Sequence, residues 1–167
     1  MRIEITPGRG KVSVGPAGGP TESIPASVTV AITDTEPYDV EVRLEWSPTV
    51  GKLAVHTVTC TALPGGVDLT PAGIAGIALR DTIQAALEAE YLGGTGWPGL
   101  LEKHSGHDQL AVDALIYLLA VAFQSPKPTA TVAIARGLSP ASGPKRVLAA
   151  RKAGLLPATE PGKISGA

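Results

Sequence analysis

One cysteine, one phenylalanine and one methionine are all that this 167-residue chain has of those three types, and aromatic residues make up only 4% of it. A lone Cys60 excludes an internal disulfide framework, and a reducing, cytoplasmic setting is expected. So few rings leave the core to small aliphatic side chains. The opening residues, MRIEITPGRGK, lack the apolar segment of an export signal. The longest apolar run, Ala111 to Phe123, is interrupted by Asp113 and is too short to span a bilayer, so no membrane association is expected. Charge is also sparse, at 17% of residues, whereas 20 Gly and 15 Pro announce many turns. The 44% hydrophobic content is enough for a real core.

The net charge of −1 hides a segregation. Residues 1–68 carry eight acidic and five basic side chains, residues 69–125 six and two, and residues 126–167 one and seven. The last quarter is therefore a basic module on an acidic body. A polyanionic partner is expected for such a module.

Hydrophobic periodicity divides the chain in the same way. RIEIT, KVSV, SVTVAIT, DVEVRLEW and KLAVHTVTCTA alternate with period two and are bounded by Gly/Pro turns such as GPAGGP. They predict four or five antiparallel strands over residues 1–62. The period then changes. Thr70 can cap and Pro71 can open a helix running to Leu92, with Ile74, Ile77, Ala78, Leu79, Ile83, Leu87 and Tyr91 on its apolar face. LGGTGWPG, Leu92 to Gly99, reads as a loop. A second helix is expected over residues 107–124, a short third from Thr129 to Gly137, and a basic fourth ending at Gly154. The expected fold is α+β: an N-terminal antiparallel sheet with one covering helix (residues 1–96), a three-helix module (97–157) and a flexible tail (158–167).

The third and fourth helices are joined by Gly137-Leu138-Ser139. A Gly that turns the chain, an apolar residue that packs inward and a Ser that caps form the layout of a helix-turn-helix. On a wheel of about 100° per residue, Pro140, Gly143, Ala150, Arg151 and Gly154 cluster around Val147. Ser142, Lys145, Ala149 and Lys152 fall opposite, with Arg146 at the edge. The small residues thus face the other helices, and the polar stripe faces outward.

This segment resembles the helix-turn-helix module common in actinobacterial and actinophage proteins. The resemblance rests on Val132-Ala133, Gly137-Leu138-Ser139, Ser142, Ala150-Arg151, Gly154-Leu155-Leu156 and Gly162-Lys163, with Tyr117 on the preceding helix, and covers the last third of the chain. It implies binding of double-stranded DNA by a transcriptional regulator or a phage or mobile-element accessory factor, acting as a homodimer. Ser142, Lys145, Arg146, Ala149, Lys152, Lys127 and Lys163 are the implied DNA-facing residues. Departures occur at Gly143-Pro144, where the family carries two Ala-like residues, and at Ala141, Leu148 and Ala149. Pro144 cannot sit inside a helix that starts at Ser139 without a kink. The second helix begins either at Ser139, kinked, or at Ser142.

Other constellations are weaker. His104 and His107, with His56 and Cys60, lack the donor set of a zinc site, although His56 and Cys60 stand four apart on one expected strand face. No metal or cofactor is expected. Pro7 to Lys11 lacks phosphate-loop spacing and reads as a β-hairpin turn. Asp81, Glu88 and Glu90 read as a solvated helix face, Trp46 and Trp97 as core or interface fillers. No nucleophile and base stand at a recognisable spacing, so a non-enzymatic role is expected. The alternative to DNA binding is a protein-interaction module with a degenerate helix-turn-helix, possibly a phage-encoded host-interacting or structural protein. On either reading the N-terminal sheet serves dimerisation or a protein partner.

Overall fold

The computed structural model describes residues 1–34, 38–65, 70 and 79–157. The fold is α+β. Strands β1 (Arg2–Pro7), β4 (Ser27–Thr33), β5 (Tyr38–Ser47) and β6 (Lys52–Ala62) form an antiparallel sheet in the order β1-β4-β5-β6. Strands β2 (Lys11–Val14) and β3 (Glu22–Pro25) form a separate antiparallel ribbon.

Ribbon and sheet are one bent structure. Pro7 pairs with Val28 in the sheet, and Lys11 pairs with Pro25 in the ribbon. Between them the Gly8 N–H donates to the Ser27 carbonyl at 2.8 Å, and the Ala26 N–H to the Gly10 carbonyl at 3.1 Å. Pro7 to Lys11 is therefore not the hairpin turn that its Gly-rich sequence predicts. It is a bend in a long hairpin whose turn lies in the GPAGGP stretch, residues 15–20. A side chain at Gly8 would strike the Ser27 Oγ at 2.0 Å, which explains glycine at the bend better than a turn does.

Alternation sets the faces of the sheet. Val28, Val30 and Ile32 of β4, and Val40, Val42 and Leu44 of β5, are buried and directly opposed in register. The intervening Glu41 and Arg43 are exposed, so one face is wet. The apolar face joins the helices in one continuous core.

Helix α1 (Leu79–Leu92) buries Ile83, Ala86 and Leu87 on one stripe, as its period predicts. Its expected start at Pro71, with Ile74, Ile77 and Ala78, lies outside the described residues. Helix α2 (Gly96–Lys103) occupies part of what the sequence reads as a loop. Gly96, Pro98 and Gly99 mimic a loop, but all three lie in its first turn, where proline forgoes no helical hydrogen bond. Helix α3 (Gln109–Ala122) is central: Leu115, Ile116, Leu119 and, just past its end, Phe123 are fully buried. Tyr91 and Trp97 flank the Phe123 ring, with centroids at 6.1 and 6.5 Å. Among the described residues no helix is long and apolar enough to cross a membrane.

Candidate nucleic-acid interface

The basic module is built from α3, α4 (Pro128–Ala135) and α5 (Gly143–Lys152). Each has a local reason for its ends. Asp108 caps α3, accepting from the Leu110 and Ala111 N–H groups at 2.9 and 3.2 Å. Pro128 opens α4 at its first position, with Lys127 in the cap position. At its exit Gly137 has φ +67°; its N–H reaches the Ile134 carbonyl at 2.9 Å, and the Leu138 N–H reaches Ala133 at 2.9 Å. This pair of bonds is a Schellman ending, and the left-handed residue it requires is the glycine. The same ending recurs after α5, where Gly154 N–H reaches Arg151 at 2.9 Å and Leu155 N–H reaches Ala150 at 3.0 Å.

The start of α5 is the later of the two possibilities. Ser139 is extended, Pro140–Ser142 form a single 3₁₀ turn, and the α-helix runs from Gly143. Pro144 is then its second residue, where no intrahelical N–H is missed. The Ser142 side chain does not cap the helix. Its Oγ donates to the Ser139 carbonyl at 2.6 Å and closes the 3₁₀ turn instead.

Gly143 explains how α5 docks. A Cβ there would lie 1.9 Å from the Thr129 carbonyl oxygen on α4, so only glycine lets the two backbones meet. Thr129 follows Lys127 by two residues, so this contact puts Lys127 and the start of α5 at one end of the module. Val147 and Ala150 complete the buried face. Lys145 and Lys152 are exposed, and Ser142, Ala149 and Arg146 are half-buried.

The arginines are less free than the sequence implies. Asp113 is fully buried in α3. Its Oδ1 accepts from the Arg136 Nε, and its Oδ2 from the Arg146 Nε at 2.7 Å. Arg136 also donates to the Gln109 carbonyl at 3.0 Å. A buried carboxylate needs such partners, because its desolvation is otherwise uncompensated. Three elements are thereby fastened together: the core of α3, the end of α4 and the first turn of α5. Arg151, placed on the inner face by the wheel, stacks on Tyr117 with its guanidinium carbon 5.3 Å from the ring centre, and donates to the Tyr117 hydroxyl at 3.1 Å. These roles went unread in the sequence. The available signal was a single acid inside an apolar helix, followed by arginines on two later helices.

Of the basic residues in the last quarter, Lys127, Lys145 and Lys152 remain exposed and carry no ion pair among the described residues. Lys163 lies outside the described residues. Three large apolar side chains are also exposed in the module: Ile134 on α4, Leu138 in the turn and Leu148 on α5.

The histidines sit elsewhere. His104 is buried at the end of α2, with Nε2 2.7 Å from Glu22 Oε1, and Lys103 Nζ donates to Glu22 Oε2 at 2.8 Å while pairing with Oε1 at 2.7 Å. Burial opposes ionisation of Glu22, but the hydrogen bonds and charges of Lys103 and His104 outweigh it and hold the carboxyl below its usual range. This cluster ties β3 to α2. The His107 ring lies 5.5 Å from that of His104. His56 and Cys60 do not share a face as expected. The register shifts between Arg43 and Leu44, which oppose Thr57 and Val55 and leave His56 as the extra residue of a bulge. His56 then approaches Glu45 at 3.7 Å, while Cys60 packs against the core. Among the described residues no group of three or more His, Cys, Asp or Glu could hold a metal.

Compared with known proteins, the chain matches no family model, no curated protein and no solved structure.

Proposed function

We propose that the chain binds double-stranded DNA with α5 as the groove-facing helix of a helix-turn-helix. The observation that carries this reading is the surface of α5: Lys145 and Lys152 are exposed on the face opposite the buried Val147, with the small Ala149 between them in sequence. A small residue lets the helix approach the groove, and the flanking ammonium groups reach phosphates. Lys127, at the same end of the module as the start of α5, adds a third cation. Arg146 keeps its terminal guanidinium nitrogens for DNA while its Nε is held by Asp113. Ser142 spends its hydroxyl on the turn, so base-specific donors are few. Binding is therefore governed by charge and groove shape more than by base readout.

Titration of duplex DNA at several salt concentrations tests this. Roughly three phosphate contacts predict a slope of log affinity against log salt of about −3. Substituting Lys145→Ala together with Lys152→Ala should flatten that slope. Unaltered binding in the double variant would show that α5 is not the recognition helix.

The exposed Ile134, Leu138 and Leu148 favour a second reading, in which this module docks on a protein surface. Absence of duplex binding even at low salt would select it.

A further inference from the structure

Strand β6 is an edge without the usual protection. It is 11 residues long, stands last in the order β1-β4-β5-β6, and among the described residues pairs only with β5. Val55 to Thr59 are exposed in succession, so both faces of the strand are open there. Val55 and Val58 are 49% and 40% exposed. Edge strands are ordinarily blunted by lysine, proline, inward charge or bulges, since their unpaired N–H and C=O groups are a template for another strand. From Leu53 to Ala62 there is no Asp, Glu, Lys, Arg or Pro. The bulge at His56 protects only its own position. Beyond it, Thr57 to Ala62 pair with β5 in unbroken register from Arg43 back to Tyr38.

We infer that Thr57–Thr61 of β6 pairs antiparallel with the same segment of a second copy of this chain, merging the two sheets across a two-fold axis at Thr59. An edge that pairs with itself about a two-fold axis must run antiparallel, and its contacts must be self-complementary. This segment meets both conditions. Thr57, Thr59 and Thr61 alternate with Val58 and Cys60, so threonine meets threonine on one face and small apolar groups meet on the other. Cross-strand threonine pairs are favourable, and no like charges are opposed. The opposite edge fits less well. Strand β1 has only six residues, carries the exposed Arg2 and Glu4, and ends in Pro7. Pairing β1 of one copy with β6 of the next would also fail to close and would build open chains.

This inference does not depend on DNA binding, and its test contains no DNA. The full chain is measured by sedimentation equilibrium up to high micromolar concentration, at low and high salt. The expected mass is twice the 16.9 kDa of one chain, insensitive to salt because the interface is uncharged. Val58→Lys and, on the other face, Thr59→Lys should each give a folded monomer, folding being read by circular dichroism. Both positions are already exposed, and should one variant fail to fold, the other carries the test. A monomeric parent overturns the inference, as does a folded lysine variant that remains dimeric. Larger, concentration-dependent assemblies would favour β1-to-β6 pairing and overturn it too.

Discussion

The Arg146 Nε lies 2.7 Å from the Asp113 Oδ2, joining an outward edge of α5 to the buried centre of α3. Arg136 holds the other carboxylate oxygen. Because Asp113 has no access to water, its two arginines are what make its charge tolerable there. Replacing both, Arg136→Ala with Arg146→Ala, is expected to cost roughly 3–5 kcal/mol in urea unfolding. Asp113→Ala should cost less, since the arginine side chains it releases are 17% and 26% exposed and can turn to solvent. Equal losses from the two changes would mean that the pairing adds little.

Lys145 and Arg146 are neighbours in sequence with separable roles. Lys145→Ala should leave unfolding free energy within about 0.5 kcal/mol of the parent and lower the salt slope of DNA binding by about one. Arg146→Ala should lower stability as well as affinity. Parallel urea and DNA titrations of both variants check the separation, which fails if Lys145→Ala is the more destabilising.

Helix propensity favours Gly143→Ala by about 1 kcal/mol. Packing opposes it, because the added carbon would sit 1.9 Å from the Thr129 carbonyl oxygen, a backbone atom that cannot rotate away. We expect a net destabilisation of about 1–3 kcal/mol and weaker DNA binding as α5 is displaced from α4. A rise in melting temperature would contradict the observed approach of the two helices.

Glu22 makes stability depend on pH. Burial disfavours its charge, but Lys103 and His104 lower its pKa below the ordinary value of 4.5 in the folded chain. A depressed folded pKa contributes stability that is complete above the unfolded value and is lost as pH falls through the folded one. The parent should therefore lose stability more steeply than Glu22→Gln as pH drops below 4.5. Chemical unfolding at a series of pH values measures this; identical profiles would remove Glu22 from the acid response.

Much of the fold is legible in the sequence because it is local. The alternation of SVTVAIT and DVEVRLEW sets which side chains are buried, and the observed strands follow it. Gly137 and Gly154 mark the ends of α4 and α5 through bonds that span only a few residues. The wheel around Val147 puts Gly143 and Ala150 on the buried side and Lys145 and Lys152 on the exposed one, as observed, since a helix fixes its own faces; Pro140 and Gly154, which it also turns inward, are exposed because they lie outside the α-helix. Local signals also mislead: Pro98 and the glycines around it hide α2, and the glycines of the Pro7–Lys11 bend imitate a turn.

Periodicity, turn chemistry and the segregation of charge thus follow from the sequence alone, since each depends on residues within a few positions of one another. The tertiary structure decides what those residues serve. Arg146 looks like any basic residue of a recognition helix until Asp113, thirty-three positions earlier, is seen to hold it. Gly143 looks like a helix breaker until the Thr129 carbonyl occupies the space of its missing side chain. The bulge at His56 arises from pairing with another strand, and the open edge of β6 from its place at the end of the sheet order. Each depends on groups distant in the chain meeting in space, and burial then determines whether a charge, a glycine or an unpaired strand can be tolerated.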